Sequence, residues 1–309
     1  MAHVVKNCSK ETIEKMKAHY AKMRNASTPN GALFSAKSNG VTITAYKSGK
    51  VMFQGGDCEN EASIWSGVET VGKIAKKSSV SDHAYTPPTN VNALSFIGSD
   101  EAGTGDYFGP VTVAAAFVEP KMVEKLRALG VRDSKELKDK QIIELARVLV
   151  DVIPFSLLTL NNEKYNEVQR NGWTQGKMKA MLHEQAIQHL LKKLSCSKPD
   201  GILVDQFCEP GIYFRHTSTS GRREVPIYFT TKAESVSLAV AAASIIARSA
   251  FLKHMNLLSE ELGETIPKGA GSHVDQFAAE VIQNHGIDSL EHFAKVHFAN
   301  TEKAKKRMN

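Results

Sequence analysis

The stretch that decides the fold is Ile97-Gly-Ser-Asp100-Glu101-Ala-Gly103-Thr104-Gly105-Asp106-Tyr-Phe-Gly109-Pro110. Two adjacent acids end an apolar strand, and glycines follow them. Neighbouring side chains of a regular strand face opposite ways, so Asp100 and Glu101 converge on one site only if the strand bends there. Gly103 and Gly105 supply the freedom for that bend and for close approach of a ligand. Alone, such a loop is equally typical of a solvated turn.

Two more acids follow the same pattern further along the chain. Asp205 ends the apolar run Gly201-Ile-Leu-Val204, as a strand does when it delivers a carboxylate at its C-terminal end. Glu234 stands where a long helix rich in Ala and Ser is predicted to begin, near the positive end of the helix dipole. Each acid alone is an ordinary turn or first-turn residue, but the four together predict a shared site.

Clustered carboxylates repel one another and are most simply held together by hard divalent cations. Oxygen ligands of this kind favour Mg²⁺ or Mn²⁺ and disfavour zinc. Two such ions roughly 4 Å apart can activate a water and stabilise the leaving oxygen of a phosphodiester. We therefore expect two divalent ions and no organic cofactor.

The hydrophobic pattern divides the chain into a small α+β domain at residues 1–70, a linker at 71–92 and an α/β domain at 93–309. In the first domain, Ser9 is a predicted N-cap for a helix that reaches about Asn25. A meander of short strands and a helix at 59–68 follow. The linker is rich in Ser, Lys, Thr and Pro. In the last, we predict helices at 121–129, 139–152, 175–194, 235–262 and 274–284, between strands.

Positive charge is concentrated at the front of the chain. The formal net charge is +6, and residues 1–92 hold 12 Lys and Arg against 7 Asp and Glu, which is +5 of that total. This distribution predicts that the first domain grips a polyanion while the second holds cations.

The four cysteines show neither a CxxC pair nor the spacing of a metal knuckle, which predicts reduced thiols and a cytoplasmic protein. The most apolar stretch, Leu238–Ala247, is too short to span a bilayer. We expect neither export nor a membrane anchor. The sequence carries no signal for oligomeric state, and a monomer is our default expectation.

Several segments in order resemble type 2 and type 3 ribonucleases H, a match that spans residues 94 to about 300. They are the glycine motif quoted above, Arg132-Asp-Ser-Lys135, Leu203-Val-Asp205, and Lys232-Ala-Glu234 followed by Ala242-Ala-Ser-Ile-Ile-Ala-Arg248. Three features favour type 3, ribonuclease HIII: Gly103-Thr104-Gly105 in place of Gly-Arg-Gly, Glu234 in place of Asp, and a basic N-terminal domain.

The resemblance implies a ribonuclease H-like mixed sheet flanked by helices, and an N-terminal domain similar to half of the TATA-binding protein. It implies that Asp100, Glu101, Asp205 and Glu234 are metal ligands and that the substrate is an RNA/DNA hybrid. Gly103, Thr104 and Gly105 would then lie against the RNA strand, where backbone groups can read a 2′-hydroxyl. Further substrate contacts implied are Ser134, Lys135 and Arg248.

Two alternatives stay open at this point. The first is a type 2 activity, incision at a single ribonucleotide embedded in DNA. The second is a binding module without catalysis, whose acids form only a polar pocket.

Overall fold

The chain forms two compact units, Met1–Ser79 and Val80–Asn309. The structure is a computed structural model that describes residues 3–25, 28–29, 31–65, 84–194, 198–219 and 224–308. Most of the predicted linker lies outside the described residues, as does the end of the helix predicted at 59–68. The domain limits at residues 70 and 93 therefore stay a prediction.

In its described residues, the first unit is an antiparallel sheet of four strands with two α-helices. The sheet order is β1-β4-β3-β2. The elements are β1 (His3–Asn7), α1 (Lys10–His19), β2 (Ala32–Ser38), β3 (Val41–Tyr46), β4 (Lys50–Gln54) and α2 (Cys58–Ser63). Ser9 caps α1 as predicted, because its hydroxyl accepts the Thr12 N–H at 3.1 Å. The helix is shorter than expected, since it ends at His19.

One face of this sheet is covered and the other is open. Ile13 and Met16 of α1 pack on Phe34 and Phe53, which makes these aromatics core residues. The strand register places Lys37, Thr42 and Gln54 side by side on the opposite face.

The second unit contains a mixed sheet of five strands in the order β7-β6-β5-β8-β9. The strands are β5 (Phe96–Ala102), β6 (Val111–Val118), β7 (Phe155–Leu160), β8 (Gly201–Asp205) and β9 (Ile227–Thr230). β5, at the centre, is antiparallel to β6 and parallel to β8. The predicted mixed sheet flanked by helices is confirmed.

The described helices of this unit include all five that the sequence predicts, within three residues at each end where they differ. They are α3 (Val123–Ala128), α4 (Asp139–Val152), α5 (Asn162–Arg170), α6 (Gln175–Lys193), α7 (Pro210–Thr217), α8 (Leu238–Leu262), α9 (Ser272–His285), α10 (Leu290–Phe293) and α11 (Ala299–Arg307). The sequence did not predict α5, α7, α10 or α11. α5 is a polar helix whose buried residues include Asn162 and Asn166, so it lacks an apolar stripe to detect.

The long helix α8 packs directly on β5. A Cβ atom added at Gly98 would lie 2.1 Å from the backbone nitrogen of Val240. The run Ala239–Ala243 is buried. Small residues on both elements therefore let helix and strand backbones approach closely.

Among the described residues, α8 is the one helix long and apolar enough to cross a membrane. The apolar helix is therefore longer than the stretch Leu238–Ala247 on which the sequence expectation rested, because it continues to Leu262. Its most apolar window is 67% buried inside the unit, as expected for the core helix of this sheet.

The described cysteines Cys8, Cys58 and Cys208 are free thiols. Cys196 lies outside the described residues.

Candidate active site

β5 brings the first two acids to the middle of the sheet. Asp100 pairs with Ala114 of β6 and Glu101 with Val113, and the ladder continues without a register shift to Ala102. The expected bend is absent from this ladder. Because the strand stays regular, Asp100 and Glu101 point to opposite sides of it.

Asp205 and Glu234 come from the neighbouring parallel strands. Asp205 is the last residue of β8, and its Oδ1 accepts the Ala233 N–H at 2.8 Å. Glu234 lies in the 3-10 turn Ala233–Ser235, which follows β9. Since α8 begins only at Leu238, Glu234 precedes that helix instead of opening it.

Asp100, Asp205 and Glu234 form a compact carboxylate cluster. One oxygen from each lies within 4.8 Å of the others. Asp100 is 7% exposed and Glu234 is 4% exposed. Glu234 Oε1 bonds to the Lys135 ammonium, whereas its buried Oε2 has no hydrogen-bond partner in the described part of the chain. A buried acceptor left unpaired inside an acidic cluster is the pattern expected of a cation ligand.

Burial and mutual repulsion make these carboxyls hard to ionise. Burial, followed by the charges of Glu101 and Asp205, raises the pKa of Asp100 well above its usual range. Burial also raises the pKa of Asp205 to about 6, with Glu234 and Glu101 adding to the shift against the Ala233 N–H. A divalent cation would relieve both effects, because it favours the ionised form of every ligand.

Glu101 is close to the cluster but belongs to a different set of contacts. Its Oε1 forms an ion pair with Lys179, and its Oε2 lies 2.8 Å from His183 Nε2. Burial alone would raise the pKa of Glu101, but the hydrogen bond and charge of His183 and the charge of Lys179 outweigh it and lower that pKa. The structure therefore brings three of the four predicted ligands together and holds the fourth beside them.

The glycine loop borders the cluster. Gly103 has a φ of +84°, and a Cβ atom there would lie 2.2 Å from the Pro110 carbonyl oxygen, so this position requires glycine. A Cβ atom at Gly105 would meet nothing within 4 Å. The Thr104 carbonyl accepts a hydrogen bond from the Gln175 side chain at 2.9 Å. The loop is thus fixed at its start and open at Gly105.

The other predicted substrate residues all have partners within the protein. Ser134 is buried, and its hydroxyl lies 2.9 Å from that of Ser244. Arg248 donates to the Ser134 carbonyl at 2.5 Å and to Asp139 at 2.9 Å. Lys135 reaches Glu234 from a largely exposed position. Of these three, Lys135 has the most exposed side chain, at 71%, whereas that of Arg248 is 30% exposed.

Three residues of α6 at the site were missed by the sequence reasoning: Gln175, Lys179 and His183. They recur every four residues, a spacing that places them on one face of the helix. That i, i+4, i+8 spacing was the available signal, but α6 carries other polar residues as well, and nothing in the sequence says which acid the row faces.

Comparison with known proteins follows the division into two units. A family model described as ribonuclease HII matches residues 97–301, and one described as a domain of unknown function, DUF3378, matches residues 3–78. Ribonuclease HIII of Bacillus velezensis is 53% identical over 308 residues, covering 99% of this chain and 98% of the relative. Ribonuclease HIII of Bacillus subtilis is 52% identical over 306 residues, with the same coverage.

A solved structure extends the likeness to three dimensions. The crystal structure of Bst-RNase HIII in complex with Mn²⁺ aligns with a TM-score of 0.68 at 42% identity, covering 100% of this chain and 99% of that one. Fold and site together define a nuclease of the ribonuclease H class. Within that class the chain belongs to the ribonuclease HIII family, and it is an endoribonuclease.

Proposed function

We propose that the chain hydrolyses the RNA strand of RNA/DNA hybrids by two-metal catalysis and leaves 5′-phosphate and 3′-hydroxyl ends. Asp100, Glu101, Asp205 and Glu234 are the carboxylates that act. The observation that carries the proposal is the buried cluster of three carboxylates in which Glu234 Oε2 has no hydrogen-bond partner among the described residues.

The donor set fits Mg²⁺ or Mn²⁺. Every ligand of the cluster is a carboxylate oxygen, which is the hard donor that both ions prefer. Bst-RNase HIII, a relative, was crystallised with Mn²⁺. When bound, two such ions supply an activated water and stabilise the departing 3′ oxygen.

The residues of the chain prepare the site for that chemistry. Asp100, Asp205 and Glu234 present ionised oxygens to the cations, and the Ala233 N–H holds the Asp205 carboxylate in place. Lys135 lies at the edge of the cluster with its side chain 71% exposed. It is therefore placed to neutralise a phosphate that approaches from solvent.

The glycine loop is our proposed reader of the RNA strand. Gly103 fixes the turn, while the open space at Gly105 lets a ribose approach the backbone. Backbone groups in contact with the ribose can distinguish a 2′-hydroxyl from a hydrogen, which separates RNA from DNA. Arg248 borders a groove of about 250 Å³ beside Gly103, where the same strand would continue.

We propose that the first unit binds the hybrid. The open face of its sheet carries the exposed Lys37, Lys50 and Gln54 beside the half-buried Thr42. A polar face with lysines at its margin can bind the nucleic-acid backbone. Proteins contact that backbone through its phosphates and sugars, without regard to sequence.

The reduced state of the described cysteines supports our proposal that the protein works in the cytoplasm, where thiols are kept reduced. We keep the monomer as the working oligomeric state. Size-exclusion chromatography with light scattering tests it, and a mass near twice 33.8 kDa would contradict it.

The test of the function is cleavage of an end-labelled uniform RNA/DNA hybrid in Mg²⁺, in Mn²⁺ and in chelator. We expect cutting of the RNA strand in either metal and none in chelator, with products that a 3′-end-dependent polymerase extends directly. Products that need phosphatase treatment before extension would contradict the proposed ends.

A duplex with one ribonucleotide in DNA, run beside the hybrid, addresses the alternative type 2 activity. We expect little or no incision of that duplex. Efficient cutting of both substrates would instead assign the chain the broader type 2 specificity.

A further inference from the structure

Glu101 is the one acid of the proposed set whose two carboxylate oxygens are both paired with basic side chains within the described residues. Lys179 pairs with Oε1, and His183 Nε2 donates to Oε2 at 2.8 Å. Asp100, Asp205 and Glu234 form the compact cluster without it. Glu101 is therefore held by contacts of its own, outside that compact cluster.

The side chains of Lys179 and His183 are themselves firmly placed. The Lys179 side chain is 13% exposed and His183 is fully buried. The Lys179 ammonium lies 4.2 Å from the centroid of the Phe207 ring, and the His183 ring stacks on the same ring at 5.2 Å. His183 Nδ1 also lies 2.7 Å from the Ser99 hydroxyl. These contacts fix Lys179 and His183 within the core, and the two residues in turn fix Glu101.

A single helix face provides this hold and supports the glycine loop. Gln175, Lys179 and His183 are spaced by four residues along α6, so they lie in one row. Gln175 donates to the Thr104 carbonyl, and the other two residues bind Glu101. A change in one contact of this row should therefore affect both Glu101 and the glycine loop.

Lys135 provides the contrast. It also pairs with an acid of the site, Glu234, but its side chain is 71% exposed and it occupies only Oε1. Glu234 Oε2 remains unpaired in the described structure. Glu234 can accordingly offer an unpaired oxygen to a cation while it keeps its lysine, whereas each oxygen of Glu101 already has a partner with which a cation would compete.

We propose that Lys179 and His183 are positioning residues that set the divalent-cation affinity of the site, and that a cation that engages Glu101 competes with Lys179 for its carboxylate. The proposal rests on the function proposed above, because it takes Glu101 as the fourth ligand. Its physical basis is competition: a fixed ammonium beside the cluster repels an incoming divalent ion and holds one of its ligands.

The test is the variant Lys179→Gln, with Mn²⁺ as the probe. Isothermal titration calorimetry on the full-length chain should show Mn²⁺ binding that is at least about ten-fold tighter, because one unit of opposing charge is removed at close range. Thermal unfolding should show a lower midpoint in chelator, where Glu101 loses its partner, and a larger rise on adding Mn²⁺ than the wild-type chain shows.

Two further variants serve as matched controls. Lys177→Gln removes the same charge from the same helix, but at a residue whose ammonium lies over the Trp173 ring at 4.2 Å, so the Mn²⁺ affinity should be unchanged. Lys179→Arg keeps the charge and should retain wild-type affinity. If Lys179→Gln does not fold, Phe207→Leu removes the ring under Lys179 and should shift the affinity in the same direction by a smaller factor.

A purely structural ion pair predicts a different result. In that case Lys179→Gln would lower the unfolding midpoint equally with and without Mn²⁺ and leave the affinity unchanged, which would overturn the inference. Glu101→Gln, assayed for cleavage, separates this failure from failure of the proposed function. An active Glu101→Gln variant overturns Glu101 as a member of the catalytic set, whereas an inactive one with unchanged Lys179→Gln affinity overturns only the positioning role.

Discussion

The two sheets of the chain differ in how their faces are covered. The four-stranded sheet of the first unit is covered by α1 and α2 on one face and leaves Lys37, Thr42 and Gln54 open on the other. The five-stranded sheet of the second unit lies between two separate apolar clusters, and all eight residues of β6 are buried. The first sheet thus offers a surface, while the second offers only the ends of its strands.

This difference separates two physical tasks. Contact with a long polyanion needs an extended polar face, and exposed lysines perform it at little cost in desolvation. Concentrating negative charge for a cation needs carboxylates that are removed from water, and burial accordingly raises the pKa of Asp100. The comparison predicts that substitutions at the second sheet change chemistry and stability strongly, while those on the open face change affinity modestly.

The largest expected effect is that of Asp100→Asn at the second sheet. Cleavage of the hybrid should fall by about a thousand-fold, since loss of a metal ligand removes several kcal/mol of transition-state stabilisation. Hybrid binding should remain close to wild type. Because the pKa of Asp100 is raised in the folded state, the charged form destabilises the metal-free protein at neutral pH, and the variant should unfold at a higher temperature in chelator.

Single-turnover cleavage and thermal unfolding measure these two quantities. A variant that keeps a tenth or more of the wild-type rate would remove Asp100 from the catalytic set. A midpoint in chelator below that of the wild type would contradict the repulsion that we assign to the cluster.

The next effect concerns packing on the covered sheet. Gly98→Ala places a Cβ atom 2.1 Å from the Val240 backbone, and neither β5 nor α8 can move without opening the core. We expect the free energy of unfolding of the second unit to fall by about 3 kcal/mol, the upper range for overpacking. Urea unfolding followed by circular dichroism measures it.

Thr42→Ala on the open face of the first sheet is the matched comparison. Its side chain packs against no helix, so the free energy of unfolding should change by less than about 0.5 kcal/mol. Similar losses in the free energy of unfolding for Gly98→Ala and Thr42→Ala would show that the two sheets are equally constrained. That result would contradict the difference between the covered and the open sheet.

Much of the candidate site could be predicted from local sequence. An apolar run that ends in an acid brings Asp100 and Asp205 together whenever their strands are parallel neighbours, and β5 and β8 are parallel neighbours. Close packing of the Ala-rich helix was also predictable, because small residues bury without specific partners.

The rest depends on tertiary contacts that no local pattern encodes. The regular ladder of β5 turns Glu101 away from Asp100, and only the position of α6 decides that Lys179 and His183 receive it. The polar helix α5 escaped prediction for the same reason, since Asn162 and Asn166 are buried through hydrogen bonds to distant carbonyls and not through an apolar stripe.

A smaller effect is expected for the open face. Lys37→Gln and Lys50→Gln should each weaken hybrid binding by a few-fold, and each should reduce the slope of log affinity against log salt by about 1 if the lysine neutralises one phosphate. Fluorescence anisotropy across a salt series measures both. Lys15→Gln is the control, because Lys15 lies on α1, which covers the opposite face, and pairs with Glu11 at 2.9 Å. Equal slopes in all variants would mean that the open face does not touch the backbone.

The smallest effect is expected at the surface of the second unit, where His292 joins two elements. Its Nδ1 lies 2.9 Å from Glu163 of α5 and its Nε2 lies 2.9 Å from Glu261 of α8. The hydrogen bond to Glu163, with help from Glu261, raises the pKa of His292. A histidine whose pKa is raised by folding stabilises the folded state fully below the unfolded value, near 6.5, and loses that contribution as pH rises through the folded value.

Because His292 is substantially exposed, solvent screening should limit the contribution to less than about 1 kcal/mol. Unfolding midpoints between pH 5.5 and 8.5 should therefore show a small extra loss of stability in the wild-type chain that His292→Gln lacks. If the extra loss were as large as the effect of Gly98→Ala, the second unit would depend on its surface ion pairs as much as on its buried sheet. The contrast between a stability that resides in the covered sheet and an affinity that resides in the open one would then no longer hold.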